Sequence, residues 1–135
     1  MSVYRGNCHC GAVGFEYRTE KPVGEWFVRS CECSFCRKHG AIYTSDPAGS
    51  TRFVHKDVSA LSRYRFGHKT ADFVFCGRCG SPLYSRRDSM PDVVRLRLGT
   101  LDSPIPGRPT EHIFTAEKAD WFQICDDLPQ HAVLP

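Results

Sequence analysis

Seven of the eight cysteines in this 135-residue chain fall into three tight clusters. Cys8 and Cys10 form a C-x-C, Cys31, Cys33 and Cys36 form a C-x-C-x₂-C, and Cys76 and Cys79 form a C-x₂-C. Seven divides into four and three. A tetrahedral metal takes four protein ligands when its role is structural, and three when one position stays open for chemistry. The count predicts one closed site and one open site, and the fold has to satisfy both.

The assignment of sulfurs follows from spacing. Two residues between Cys76 and Cys79 let the backbone wrap so that both sulfurs reach one metal, and Gly77 and Gly80 supply turn conformations open to glycine. Such a knuckle is half a site. Cys8-His9-Cys10-Gly11, a second pair followed by glycine, is the natural supplier of the other half. In a flat strand residues i and i+2 stand ~6.6 Å apart, so the backbone must bend at the C-x-C, and Asn7 and Gly11 suit that bend. This metal would staple distant parts of the chain. Cys31, Cys33 and Cys36 remain as a tripod with a free fourth position for water or substrate. Three thiolates on a divalent zinc carry a net charge of about −1 and favour an incoming thiol, whose pKa coordination lowers. Two alternatives would close the tripod: His39 as a fourth ligand, or Cys125 reaching back. Otherwise Cys125 reads as a buried free thiol in Trp121-Phe122-Gln123-Ile124-Cys125. The spacings do not match those of iron–sulfur proteins.

Composition sets the remaining bounds. The length is that of one domain over residues 1–135, able to bury a core. Hydrophobic residues make up 41% and charged residues 24%, which excludes wholesale disorder. The net charge of +3 carries no case for nucleic acid, because the basic residues form no stripe. The densest groups, Arg86-Arg87 and Arg95 with Arg97, read as solvated surface. The N-terminus lacks the apolar core of a signal peptide, and no apolar run approaches the ~18–20 residues of a membrane span. The expectation is a cytoplasmic protein with no membrane or nucleic-acid partner, in which clustered cysteines bind metal rather than form disulfides.

The pattern along the chain is mainly β. Strands are expected at 12–17, 25–28, 42–44, 51–54, 61–66, 71–75, 93–98 and 112–114. Eleven Gly and nine Pro leave room only for helical turns, expected at 34–39 and 115–121. Residues 103–109 read as a proline-rich loop, and 126–135 as a surface strap or a frayed end.

With these residues in place, the chain resembles the family of glutathione-dependent formaldehyde-activating enzymes, which also occurs as a domain of centromere protein V. The resemblance rests on Gly6-Asn7-Cys8-His9-Cys10-Gly11-Ala12-Val13, on Cys31-Glu32-Cys33-Ser34-Phe35-Cys36-Arg37-Lys38 with Gly40-Ala41, and on Phe75-Cys76-Gly77-Arg78-Cys79-Gly80-Ser81. Leu98-Gly99-Thr100-Leu101-Asp102 and His112-Ile113-Phe114, followed by Lys118 and Trp121, extend it along nearly the whole chain. It implies an Mss4-like β-tent of short antiparallel sheets stapled by zinc. It implies a structural zinc on Cys8, Cys10, Cys76 and Cys79, and a catalytic zinc on Cys31, Cys33 and Cys36. The implied activity is carbon–sulfur lyase chemistry, joining glutathione and formaldehyde as S-hydroxymethylglutathione. For that reaction Arg37 and Lys38, directly after the tripod, are the candidates to meet the carboxylates of glutathione. His39 and His112 are the candidate proton donors, and Trp121 a candidate pocket wall. Each has a plainer reading, as an exposed basic pair, a surface and a packed histidine, and a core aromatic. His9, His55, His68 and His131 read as surface residues without a role. The competing reading of the whole chain is a non-catalytic zinc-stapled binding module, marked by a saturated second site.

Overall fold

The computed structural model describes residues 2–102 and 109–135, so most of the expected proline-rich loop at 103–109 lies outside the described residues. The described chain is mainly β, with helix present only as single 3₁₀ turns. Ten strands form two sheets. The smaller sheet has the order β1 (Ser2–Asn7), β2 (Gly14–Thr19), β5 (Ser50–Phe53). The larger runs β10 (Glu111–Ile113), β3 (Arg29–Cys31), β4 (Ile42–Thr44), β9 (Arg95–Arg97), β8 (Pro82–Arg87), β7 (Ala71–Cys76), β6 (Leu61–Tyr64). All neighbours are antiparallel except β10 and β3, which pair in parallel with Ile113 beside Cys31.

Strand β2 shows why the small sheet forms. Phe15, Tyr17 and Thr19 are buried and alternate with half-buried Glu16 and Arg18, the period-two pattern of a sheet with one face in the core. Phe15 and Tyr17 meet Val74, Leu83 and Leu96 of the large sheet in one apolar cluster, together with Trp26 and Val28. Cys8 and Cys76 belong to the same cluster. A second, smaller cluster gathers Cys31, Cys36, Ala41, Tyr43 and Ile113. Each cysteine group is therefore embedded in its own apolar body. Gly6 of β1 bridges to Leu101, which lies beyond the end of β9. A Cβ on Gly6 would lie 2.5 Å from both the Phe15 ring and the Thr100 carbonyl oxygen, so only glycine fits.

Several expectations shift. Residues 25–28 are not a ladder strand: a 3₁₀ turn covers Val23–Glu25, and the Val28 amide donates to the Thr110 hydroxyl rather than to a strand. The expected strand at 93–98 contracts to Arg95–Arg97, because the Val93 amide closes a turn on the Met90 carbonyl and a 3₁₀ turn takes Leu98–Thr100. The arginines read as solvated surface are not: Arg86, Arg87 and Arg95 are half-buried and Arg97 is buried, its guanidinium 4.9 Å from the centre of the Tyr43 ring. The C-terminal segment is a strap, with the His112, Thr115 and Phe114 amides donating to the carbonyls of Pro129, His131 and Val133. Among the described residues no helix is long and apolar enough to cross a membrane.

Candidate functional site

The first cysteine group forms where two tight turns meet. Gly11, in a left-handed conformation with φ of 81°, turns the chain after Cys10, and the Cys8 amide returns to the Val13 carbonyl at 2.9 Å. Gly80, with φ of 78°, does the same after Cys79, its amide donating to the Cys76 carbonyl at 2.7 Å. Gly77 is needed for a different reason: a Cβ there would stand 2.6 Å from the Ser62 hydroxyl. Ser81 joins the turns, accepting from the His9 amide at 3.1 Å and lying 3.2 Å from the Cys79 sulfur.

The four sulfurs of Cys8, Cys10, Cys76 and Cys79 lie within 4.8 Å of one another. Cys8 and Cys10 are 3.6 Å apart, and Cys10 and Cys76 are 3.7 Å apart. Metal–sulfur bonds of ~2.3 Å in a tetrahedron put sulfurs ~3.8 Å apart, so the donor set fits a four-thiolate metal. Its hydrogen bonding suits anionic sulfur. The Val13 amide donates to Cys8 at 3.4 Å, and hydrogen bonds led by the Ser81 side chain pull the Cys79 thiol down to about 5.

The second group sits between β3, which ends at Cys31, and a 3₁₀ turn over Cys36–Lys38. The Cys31 amide donates to the Ala41 carbonyl at 3.0 Å, and the Glu32 amide to the Ile113 carbonyl at 3.0 Å. Glu117 clasps the loop from outside, taking the Ser34 amide on its carboxylate at 3.0 Å and Arg37 on its carbonyl at 2.9 Å. The sulfurs of Cys31, Cys33 and Cys36 lie within 4.8 Å of one another, and among the described residues no fourth ligand atom joins them. The Cys36 amide donates to the Cys33 sulfur at 3.3 Å, and the Tyr43 hydroxyl lies 3.4 Å from the Cys36 sulfur. Hydrogen bonding from Cys31, then Cys36, pulls Cys33 strongly down, while Cys31 is pushed up, first by Cys33. Three thiols so close cannot all ionise without a cation among them, and this group too fits a metal.

The three sulfurs open on a cavity of about 510 Å³. Phe66, Phe73, Ile113, Phe114 and Leu134 supply its apolar wall, and Ser85, Arg87, Arg95 and His68 its polar groups. Among the described residues Glu117 is its one acid.

The other expected site residues lie elsewhere. His39 is exposed, stacks on Phe35 at 4.6 Å and places Nδ1 3.1 Å from the Phe35 carbonyl oxygen. It is not in the sulfur group, so it does not saturate the second site. His112 is buried on the face of β10 opposite Ile113, with Nε2 3.0 Å from both Asp126 carboxylate oxygens. Arg37, Lys38 and Trp121 line a different cavity of about 700 Å³, together with Glu32 and Lys118. Trp121 is 84% exposed, so it is no core aromatic. Cys125 is exposed rather than buried, and stands outside both sulfur groups. The polar residues of the sulfur cavity escaped the sequence reading, because Arg87 and Arg95 were assigned to solvent. The signal was present: in Val93-Val94-Arg95-Leu96-Arg97-Leu98 the arginines alternate with core residues, so they share one face of a strand.

Two sulfur groups of four and three, the second open on a cavity, are the frame against which similarity can be judged. The sequence profile described as "Glutathione-dependent formaldehyde-activating enzyme" matches residues 3–117. The chain belongs to that family. A Halomonas elongata protein, provisionally named as a glutathione-dependent formaldehyde-activating enzyme, is 32% identical over 128 residues, covering 88% of this chain and 79% of its own length. A crystal structure of a Rhodobacter sphaeroides protein superposes with a TM-score of 0.64 at 33% identity, over 78% of this chain and 96% of the other. The family match takes in both sulfur groups and Glu117, whereas Trp121, Cys125 and the strap lie beyond it.

Proposed function

We propose that the chain is a zinc-dependent carbon–sulfur lyase-type enzyme that forms or cleaves a thiol–aldehyde adduct, with glutathione and formaldehyde as substrates. Cys8, Cys10, Cys76 and Cys79 hold a structural zinc, and Cys31, Cys33 and Cys36 a second one. What supports this reading most is the second group: three converging sulfurs, no fourth ligand among the described residues, and a cavity beside them. A saturated binding module would lack that opening. The family's name supplies the substrates.

A zinc on Cys31, Cys33 and Cys36 would supply Lewis acidity that lowers the pKa of a thiol brought to it. The protein's own residues do the rest. Tyr43 and the Cys36 amide fix the sulfurs through hydrogen bonds, which sets the direction of the opening. Phe66, Phe73, Phe114 and Leu134 give the cavity an apolar wall, against which both reactants are held where proximity lowers the barrier. The thiol sulfur attacks the carbonyl carbon, a carbon–sulfur bond forms, and the carbonyl π electrons pass to oxygen. The proton lost by the thiol ends on that oxygen, so the adduct is the sum of the two reactants. Neither His39 nor His112 borders this cavity, and His68, on the connection between β6 and β7, does. His68 is therefore the imidazole we assign to carry that proton.

The test is exchange spectroscopy with ¹³C-formaldehyde and glutathione on protein with measured zinc content. Two zinc ions per chain and an exchange rate well above the spontaneous one are expected. A fully loaded protein that leaves the spontaneous rate unchanged rejects the catalytic reading.

A further inference from the structure

We propose that the thiol admitted to the sulfur cavity carries a carboxylate, and that Arg87, Arg95 and Ser85 bind it on the wall built by β8 and β9. The proposal rests on the thiol–aldehyde reading above.

The three side chains come to one place by register. Ser85 of β8 lies directly opposite Arg95 of β9, so the two share a face of the sheet. Arg87 is two residues beyond Ser85 and shares that face as well. All three line the cavity that the sulfurs line. The arginines also border a smaller hollow of about 250 Å³.

These groups lack partners. Ser85 is 1% exposed, and its hydroxyl makes no hydrogen bond among the described residues. The Nε of Arg95 is likewise buried and unpartnered. Among the described residues no carboxylate lies within ion-pair distance of Arg87 or Arg95, whereas Arg29 and Arg78 each have one and Arg65 has two. The cavity's one acid, Glu117, is already engaged by the Ser34 amide. Burial first, and then the charge of Arg87, press the Arg95 guanidinium below its usual range. Buried polar groups without partners are costly, and two guanidiniums without counter-ions more so.

Donor chemistry narrows the ligand. The oxygens of a carboxylate suit the planar guanidinium fork and a hydroxyl donor. A thiol bearing a carboxylate would meet the sulfur tripod at one end and this wall at the other. Neutral and cationic thiols would leave the wall unpaired and should bind poorly.

The experiment is calorimetric titration of the metal-replete full chain with glutathione and with its dimethyl ester. The ester should bind about 10–100-fold more weakly. Arg87→Met and Arg95→Met should each lose affinity for glutathione by a similar factor, leave affinity for the ester unchanged and retain their zinc. Equal affinities of the wild type for acid and ester overturn the proposal, as do variants that lose both ligands equally or lose zinc instead. If Arg95→Met does not fold, Arg87→Met and the ester comparison on the wild type still decide. Formaldehyde exchange measured in the same samples separates the two claims. Ester-sensitive, arginine-dependent binding without accelerated exchange keeps the carboxylate site and rejects the catalytic reading. Accelerated exchange with equal binding does the reverse.

Discussion

Cys33 is the half-buried member of its group, while Cys31 and Cys36 are buried. On the proposed reading the incoming thiol approaches from the side of Cys33. Removing its sulfur should end turnover, because two sulfurs no longer hold a metal firmly, yet little apolar contact is lost. Cys33→Ser is expected to lose at least about a hundredfold in exchange rate while its melting temperature moves by no more than a few degrees. An unfolded Cys33→Ser would mean that the structural and catalytic roles of the two groups are exchanged. A second prediction concerns a residue far from the sulfurs. The Thr19 hydroxyl donates to the buried Asp46 carboxylate at 2.5 Å, and this bond, ahead of the Ala48 amide and Lys21, holds Asp46 below the usual carboxylate range. A depressed carboxyl stabilises the fold above its unfolded pKa of ~3.9, and that stabilisation is lost as pH falls through the folded value. Thr19→Val should cost about 1.5–3 kcal/mol at neutral pH, the range for a hydrogen bond to a charged group. The gap to the wild type should shrink below about pH 4 in urea melts, because Asp46 then gains its proton in the unfolded chain, and it should close once pH falls below the depressed folded value. A gap that is the same at pH 3 and pH 7 would show that the bond does not depend on the charge.

At the scale of elements, the strap is what closes the sulfur cavity from the C-terminal side. It follows β10 and the turn after it through five amide-to-carbonyl bonds and places Leu134 on the cavity wall. Deleting residues 128–135 should speed hydrogen exchange at the amides of His112 and Thr115 by at least about tenfold, while metal content stays the same. Unchanged protection would mean that β3 alone holds β10. The strands the sequence displayed plainly are those with one buried face, such as β2 and β7. Strand β8 was illegible because Leu83, Tyr84 and Ser85 are buried in succession, so no alternation marks it. Strand β3 hides in the approach to Cys31, where its three residues are too few to show a period. At 25–28 the apolar run is real, but Trp26 and Val28 go into the core from a segment whose amides donate to the Val23 carbonyl and the Thr110 hydroxyl rather than to a neighbouring strand. The arginines of β8 and β9 mislead for a related reason. A charged residue on an alternate position normally marks solvent, and here that face borders the cavity on which the three sulfurs open.

For the whole molecule the decisive link is the four-sulfur group. It joins the turn after β1 to the turn after β7, strands that belong to different sheets. The apolar cluster shared by the sheets includes Cys8 and Cys76, so two of the four sulfurs are part of the core rather than an ornament on it. Binding of a structural zinc supplies ~10–16 kcal/mol, as large as the ~5–15 kcal/mol net stability of an ordinary domain. The three-sulfur group differs: its sulfurs lie within one loop and the adjoining strand end, and that loop is held independently by Ala41, Ile113 and Glu117. Chelation should therefore proceed in two stages. The first metal should leave with loss of glutathione binding and an unchanged circular dichroism spectrum. The second should leave together with the cooperative unfolding of both sheets. Cys76→Ser should reproduce the second stage directly, and Cys33→Ser the first. Metal analysis and circular dichroism on the same chelator series would test this. A protein that stays folded and equally heat-stable after losing both metals would show that the apolar contacts between the sheets suffice, and the four-sulfur group would lose its role as the staple.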